Sequence, residues 1–113
     1  MKKEDLCLIS HGEYTSEIST MGAALTSLSF AGLDLIEKRT HPRYFSGEIL
    51  APWPNRIEDG KYSFRNRGYA LPINEVSRNT ALHGLVFDKA WQVISHEQDQ
   101  VILGITIDDL KIY

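Results

Sequence analysis

At 113 residues the chain is the size of one domain, and 12 basic against 15 acidic residues leave a net charge of −3. No basic block exceeds a pair, which argues against nucleic-acid binding, and no apolar run approaches the about 20 residues that cross a bilayer. The single Cys7 excludes an internal disulfide. Its place in the apolar run Leu6–Ile9 reads as a small buried hydrophobe in a reducing, cytoplasmic setting, ahead of a nucleophile; the N-terminus lacks the pattern of a signal peptide.

Along the chain, short runs of alternating apolar and polar residues are broken by turn formers, the mark of strands. Leu6–Ile9 is predicted as a first strand and Glu17–Thr20 as a second. Ala24–Phe30 alternates Leu with Ser and Thr, and Ala31-Gly32 turns it into Leu33–Lys38 as a hairpin. Lys61–Arg65 and Gly68–Leu71 flank a second hairpin turn at Asn66-Arg67-Gly68, where Gly68 is expected to take positive φ. Trp91–His96 and Val101–Ile107 flank Glu97–Gln100 as a third, with Val101, Leu103, Ile105 and Ile107 on one face. Leu110–Tyr113 reads as the start of another strand. No helical periodicity, repeat or linker interrupts this order, so the expectation is an all-β chain of the sandwich class. A sheet cut after a strong strand leaves an edge of unpaired N–H and C=O groups, so the expectation is that the edge pairs with something or that the rest of the fold is missing.

The stretch with most chemical content runs from Gly47 to Phe64. Pro52 and Pro54 bracket Trp53 and bias Ala51 and Trp53 to extended backbone, giving a stiff irregular rim unsuited to a central strand. Asn55 and Arg56 follow at once. A guanidinium offers five donors in a rigid fork, and an amide adds a donor and an acceptor, a pair suited to vicinal hydroxyls or a carboxylate. The plainer reading is a surface ion pair of Arg56 with Glu58 or Asp59. Trp53 offers a stacking face for a sugar ring, or else is a core residue under a loop. His83 sits among apolar neighbours beside Gly84; it is either a group that exchanges a proton or hydrogen bond with a reacting oxygen, or a structural histidine satisfied by a backbone carbonyl. Glu75, in Leu71–Glu75, is either a general base or a solvated loop carboxylate. His11, His41 and His96 share no ligand spacing with His83, so no metal site is expected.

Taken in order, Ala51–Ile57 (APWPNRI), Gly60 with its aromatic hairpin, Leu71–Glu75 (LPINE), Ala81–Leu85 (ALHGL) and Phe87–Trp91 (FDKAW) resemble the N-terminal part of the aldose 1-epimerase (galactose mutarotase) family. The likeness is strongest from Phe45 to Trp91. It implies a large antiparallel β-sandwich of the galactose mutarotase type that holds a free monosaccharide, an aldose, in an open cleft and interconverts its α and β anomers. A carboxylate base takes the anomeric hydroxyl proton, a histidine acid protonates the ring oxygen, and the opened aldehyde rotates and recloses. Asn55 and Arg56 match the family's sugar-binding pair. His83 matches the first of its two active-site histidines, which holds the sugar near its ring oxygen, so it is the catalytic candidate and a third substrate-binding residue. The chemistry is proton transfer alone and implies no cofactor.

Two departures accompany the likeness. Leu85 stands where better-known members carry a second glycine, and Pro52-Trp53-Pro54 is not the commonest form ahead of Asn-Arg. The family's second histidine and its glutamate base belong to a later part of a full-length chain, and no residue here matches them. The expectation is therefore a single N-terminal portion, residues 1–113, of an incomplete sandwich truncated before those groups. Its partners would be an aldose and either the missing C-terminal part or another copy joined through the open sheet edge, with no nucleic acid and no membrane. The residues leave two alternatives open: a sugar-binding fragment without catalysis, and a structural β-domain that pairs through its edge.

Overall fold

The computed structural model describes residues 4–38 and 45–107. Ten strands and a single 3-10 turn at Val76–Arg78 are the regular elements among them. The described residues cluster into two compact units, one within Met1–Ile49 and Phe87–Ile105, the other within Leu50–Val86 and Thr106–Tyr113.

In the first unit, β1 (Leu6–His11), β2 (Tyr14–Ser19), β3 (Ala24–Phe30) and β4 (Leu33–Asp34) form an antiparallel meander in that order. His11 pairs with Tyr14 around Gly12-Glu13, and Phe30 with Leu33 around Ala31-Gly32. Ala31 and Gly32 have φ of 51° and 81°, the two positive angles that let a two-residue turn follow the strand twist. β2 thus begins at Tyr14 rather than the expected Glu17, because the Gly12 turn (φ 58°) starts pairing at once. Thr26 is the extra residue where the β2–β3 register shifts between Glu17 and Ile18; its hydroxyl donates to the Glu17 carbonyl at 3.0 Å. Cys7, Ile18 and Ala24 are buried here. So are Ser19 and Thr20, whose hydroxyl oxygens accept from the N–H of Met21 and of Asp5. β9 (Gln92–His96) and β10 (Val101–Gly104) form a separate hairpin, joined to β1 by the Ser10 N–H to the Gln98 carbonyl at 2.7 Å and by the His96 ring Nε2 with the Leu8 carbonyl at 2.8 Å.

The strand expected over Leu33–Lys38 ends at Asp34. Leu33 and Leu35 are both exposed and have no apolar face to pack on, and alternation without a face to bury does not hold a strand. Val101–Ile107 likewise pairs only as far as Gly104, and the expected strand at Leu110–Tyr113 lies outside the described residues.

In the second unit, β5 (Arg56–Glu58) pairs with β8 (Thr80–Leu82), and β6 (Lys61–Phe64) with β7 (Arg67–Ala70). All three β8 residues are buried, with Leu71 and Val86 beside them in the core of this unit. The β5–β8 ladder escaped the sequence reading because each strand has three residues and the partner lies more than twenty positions away. The β6–β7 turn also differs from expectation. Phe64 pairs with Arg67, so Arg65 and Asn66 are the turn residues, with φ of 51° and 62°, and Gly68 lies within β7. Tyr62 and Tyr69 fix this register: directly opposite, their rings stack 4.9 Å apart at 12°.

A non-glycine residue in the left-handed region costs about 1–2 kcal/mol, less for Asn. The double substitution Arg65→Asn, Asn66→Gly installs the preferred pair for this turn and should raise the urea midpoint of unfolding; a lowered midpoint would contradict the turn described.

Candidate functional site

The three residues singled out in the sequence come together at one end of the β5–β8 ladder. Arg56 pairs with Leu82, the last rung. One step beyond, Asn55 and His83 leave the ladder with φ of 62° and 61°. Asn and His are among the few side chains found in this region with any frequency. Two hydrogen bonds hold them there: the His83 N–H donates to the Asn55 carbonyl at 2.7 Å, and the Asn55 N–H donates to His83 Nδ1 at 2.9 Å. Gly84 follows at φ 77° with the Ala51 carbonyl packed so closely that a Cβ would lie 2.1 Å from its oxygen. The Leu85 N–H donates to that same carbonyl at 2.7 Å. The rim of Ala51–Pro54, whose Ala51-Pro52 peptide is cis, is thus tied to the segment carrying His83.

The contact at Nδ1 assigns the imidazole tautomer. A ring nitrogen that accepts from a backbone N–H bears no proton, so in neutral His83 the proton is on Nε2. Burial, then the Arg56 charge, push the His83 pKa below its ordinary value of 6.5, with Glu75 opposing them.

Arg56 does not pair with Glu58 or Asp59. Its Nε and Nη2 donate to the two oxygens of Glu75 at 2.6 and 3.1 Å, and its Nη1 donates to Asn55 Oδ1 at 3.0 Å. The Thr80 hydroxyl donates to Glu75 Oε1 at 2.8 Å. Hydrogen bonds from Arg56 and then Thr80 hold the Glu75 carboxyl at about 2, well below its ordinary 4.5, and the same pairing raises Arg56. Glu75 is therefore neither a solvated loop carboxylate nor a base poised near neutrality. The sequence carried no signal for this partner, because Arg56 and Glu75 meet only through β8 pairing.

Trp53 is half-buried, and its indole N–H donates to the Ala81 carbonyl at 3.1 Å, so its polar end serves the rim. Cys7 is buried in the first unit. Among the described residues no three His, Cys, Asp or Glu side chains converge as a metal-ligand set, and no helix is long and apolar enough to cross a membrane.

The family model of aldose 1-epimerases matches residues 5–111. The chain belongs to the aldose 1-epimerase family. An uncharacterized Escherichia coli K12 protein, YihR, is 40% identical over 88 residues, which is 75% of this chain and 29% of that one. Among solved structures, a candidate aldose 1-epimerase from Escherichia coli K12 superposes with a TM-score of 0.78 at 22% identity, covering 89% of this chain and 36% of its own. A GalM/aldose epimerase homologue from C. elegans gives 0.73 at 21%, covering 91% and 36%. The chain thus spans about a third of the length of these relatives. Its all-β fold is galactose mutarotase-like, with small separate sheets making an incomplete sandwich.

Two outcomes check this geometry. Gly84→Ala places a Cβ against backbone in a left-handed turn and should destabilise the chain by roughly 1–3 kcal/mol in urea unfolding. For Glu75, the unfolded chain takes up a proton near pH 4.5 and the folded chain only near pH 2. The stabilisation is full above the first value and lost as pH falls through the second. The stability deficit of Glu75→Gln relative to the parent should be largest at neutral pH and shrink toward about pH 2; a deficit independent of pH would contradict the pairing.

Proposed function

We propose that this chain carries the sugar-holding part of an aldose 1-epimerase-type site, in which Asn55, Arg56 and His83 bind a free aldose whose anomers the whole protein interconverts. The observation that supports this reading is the clustering of these three polar side chains at the open end of one ladder, within the matched stretch of the family. Arg56 spends three of its five N–H groups on Glu75 and Asn55. The remaining two suit a pair of adjacent hydroxyl oxygens. His83 adds its Nε2–H, a donor that remains neutral at physiological pH. Donated to the sugar ring oxygen, it draws electron density from the C1–O bond as the ring opens. This is a holding and polarising role. A neutral imidazole with a lowered pKa is a weak proton donor, and the base that takes the anomeric proton is not Glu75. The prolines of the rim reduce the entropy lost when Asn55 and Arg56 engage the sugar.

A second reading, sugar binding without turnover by these 113 residues, is favoured by one observation: the one carboxylate of the cluster, Glu75, is held at about 2 rather than raised toward neutrality, and burial pushes His83 below its ordinary value. Fluorescence titration of the chain with D-galactose and D-glucose, reporting at Trp53, addresses both. Arg56→Ala and His83→Ala should each weaken binding by about tenfold or more, the worth of hydrogen bonds to a charged or desolvated donor. Binding unaffected by both substitutions would overturn the assignment. Polarimetry of fresh α-D-galactose then separates the readings: a rate above the buffer rate that both substitutions abolish supports epimerase activity in this chain, and a rate equal to buffer with intact binding supports the second.

A further inference from the structure

The loop that joins β7 to β8 touches both halves of the candidate site through two adjacent side chains. Asn74 and Glu75 pair with Thr80 through the backbone: the N–H groups of both approach the Thr80 carbonyl, at 3.3 and 3.1 Å, and the Thr80 N–H donates to the Glu75 carbonyl at 3.2 Å. The 3-10 turn of Val76–Arg78 and Asn79, at φ 52°, close the loop between them. From this base the two side chains act on different targets. Asn74 Oδ1 accepts the Leu82 N–H at 2.6 Å, and its Nδ2 donates to the Leu82 carbonyl at 2.8 Å. The amide thereby imitates a strand residue and satisfies both backbone groups of the residue immediately before His83. Glu75 takes Arg56 by two oxygens, with Thr80 holding one of those oxygens in place.

We propose that Asn74 and Glu75 are positioning residues of the sugar site, a single brace that sets the guanidinium of Arg56 through Glu75 and the ring of His83 through Leu82. The assignment rests on the binding roles given to Arg56 and His83 above. Three features separate the brace from ordinary loop closure. The loop is already closed by its own backbone bonds to Thr80, so neither side chain is needed to shut it. The Glu75 side chain is only 17% exposed although its partner sits at the surface, 37% exposed, so the pair is held from the protein side and leaves the far edge of the guanidinium outward. A two-point contact also fixes the guanidinium plane, which a one-point contact does not. The Asn74 grip lies one residue from His83, whose Nδ1 accepts from the Asn55 N–H, so a shift of Leu82 moves the ring relative to that donor.

The test uses the 113-residue chain and reads side-chain nitrogen NMR alongside D-galactose titration. In the parent, the Arg56 Nε–H is expected to exchange slowly with solvent, and His83 to show a bare Nδ1 and a protonated Nε2. Glu75→Gln should return the Arg56 Nε–H to fast exchange and weaken D-galactose binding roughly tenfold. Asn74→Ala should give a mixture of His83 tautomers and a similar loss. In an Arg56→Lys background, which keeps a cation but not the fork, Glu75→Gln should cost much less than in the parent, because residues that act through one another are not additive. Where either variant fails to fold, Thr80→Val and Asn74→Asp remove one contact each and should move the same signals by less. Arg56 and His83 signals unchanged in folded variants overturn the brace, as does an equal loss of binding from Glu75→Gln with and without the Arg56 fork. A parent that binds no aldose while its Arg56 and His83 signals respond as described overturns the proposed function and leaves the geometric coupling in place.

Discussion

The site depends on one reciprocal contact, the pairing of Asn55 with His83 beyond the last rung of β5 and β8. Both residues sit in a backbone region that costs a side-chain-bearing residue about 1–2 kcal/mol, and the two hydrogen bonds between them offset that cost. The second of those bonds ends on a side-chain nitrogen rather than a carbonyl, so backbone and imidazole are fixed by the same event. A carbonyl partner for the Asn55 N–H would have fixed the backbone alone. The close approach of Gly84 to Ala51 belongs to the same arrangement, because it returns the chain to the rim from which Asn55 emerges.

Charge is layered around this contact. Glu75 lies behind Arg56, Arg56 stands beside Asn55, and the His83 ring accepts from the Asn55 N–H. An unpaired guanidinium next to the imidazole would lower the histidine further; Glu75 opposes that effect. The side facing outward is mainly one of N–H donors at modest net charge. Under the proposed function this suits the oxygens of a neutral polyol better than those of a strongly charged group, since the cation is already compensated by its own carboxylate.

Much of this was legible in the sequence, for reasons that differ by element. The β3–β4 and β9–β10 hairpins showed because alternation and turn residues are local. Ala24–Phe30 matched residue for residue. Asn55, Arg56 and His83 showed through their order relative to prolines and glycines, which a family likeness registers. The β5–β8 ladder did not, since three-residue strands carry no period and their pairing is set by burial of Thr80–Leu82. The partner of Arg56 was missed for the same reason. On a strand Glu58 is two residues from Arg56 and shares its face, so local reasoning proposes it; only the ladder brings Glu75 to the guanidinium. Turn chemistry misled once: Gly68 invites positive φ, but the stacked Tyr62 and Tyr69 set a register that puts the left-handed residues at Arg65 and Asn66.

The grip of Glu75 on Arg56 also bears on how labour is divided in an aldose 1-epimerase. A general base works best when its pKa lies near the pH of operation, and the bidentate contact that orients Arg56 drives Glu75 to about 2. The two tasks exclude each other at one carboxylate: an oxygen pair held by a guanidinium and a threonine hydroxyl has its lone pairs committed and little tendency to take a proton. The same holds for His83, whose Nδ1 is committed to Asn55. Proton transfer to and from the anomeric centre therefore requires groups in a different environment, less paired and with pKa values nearer neutrality. In this unit the Arg56–Glu75 pair is tuned to stay ionised and His83 is pushed toward its neutral form, the tuning that the proposed sugar-orienting role calls for.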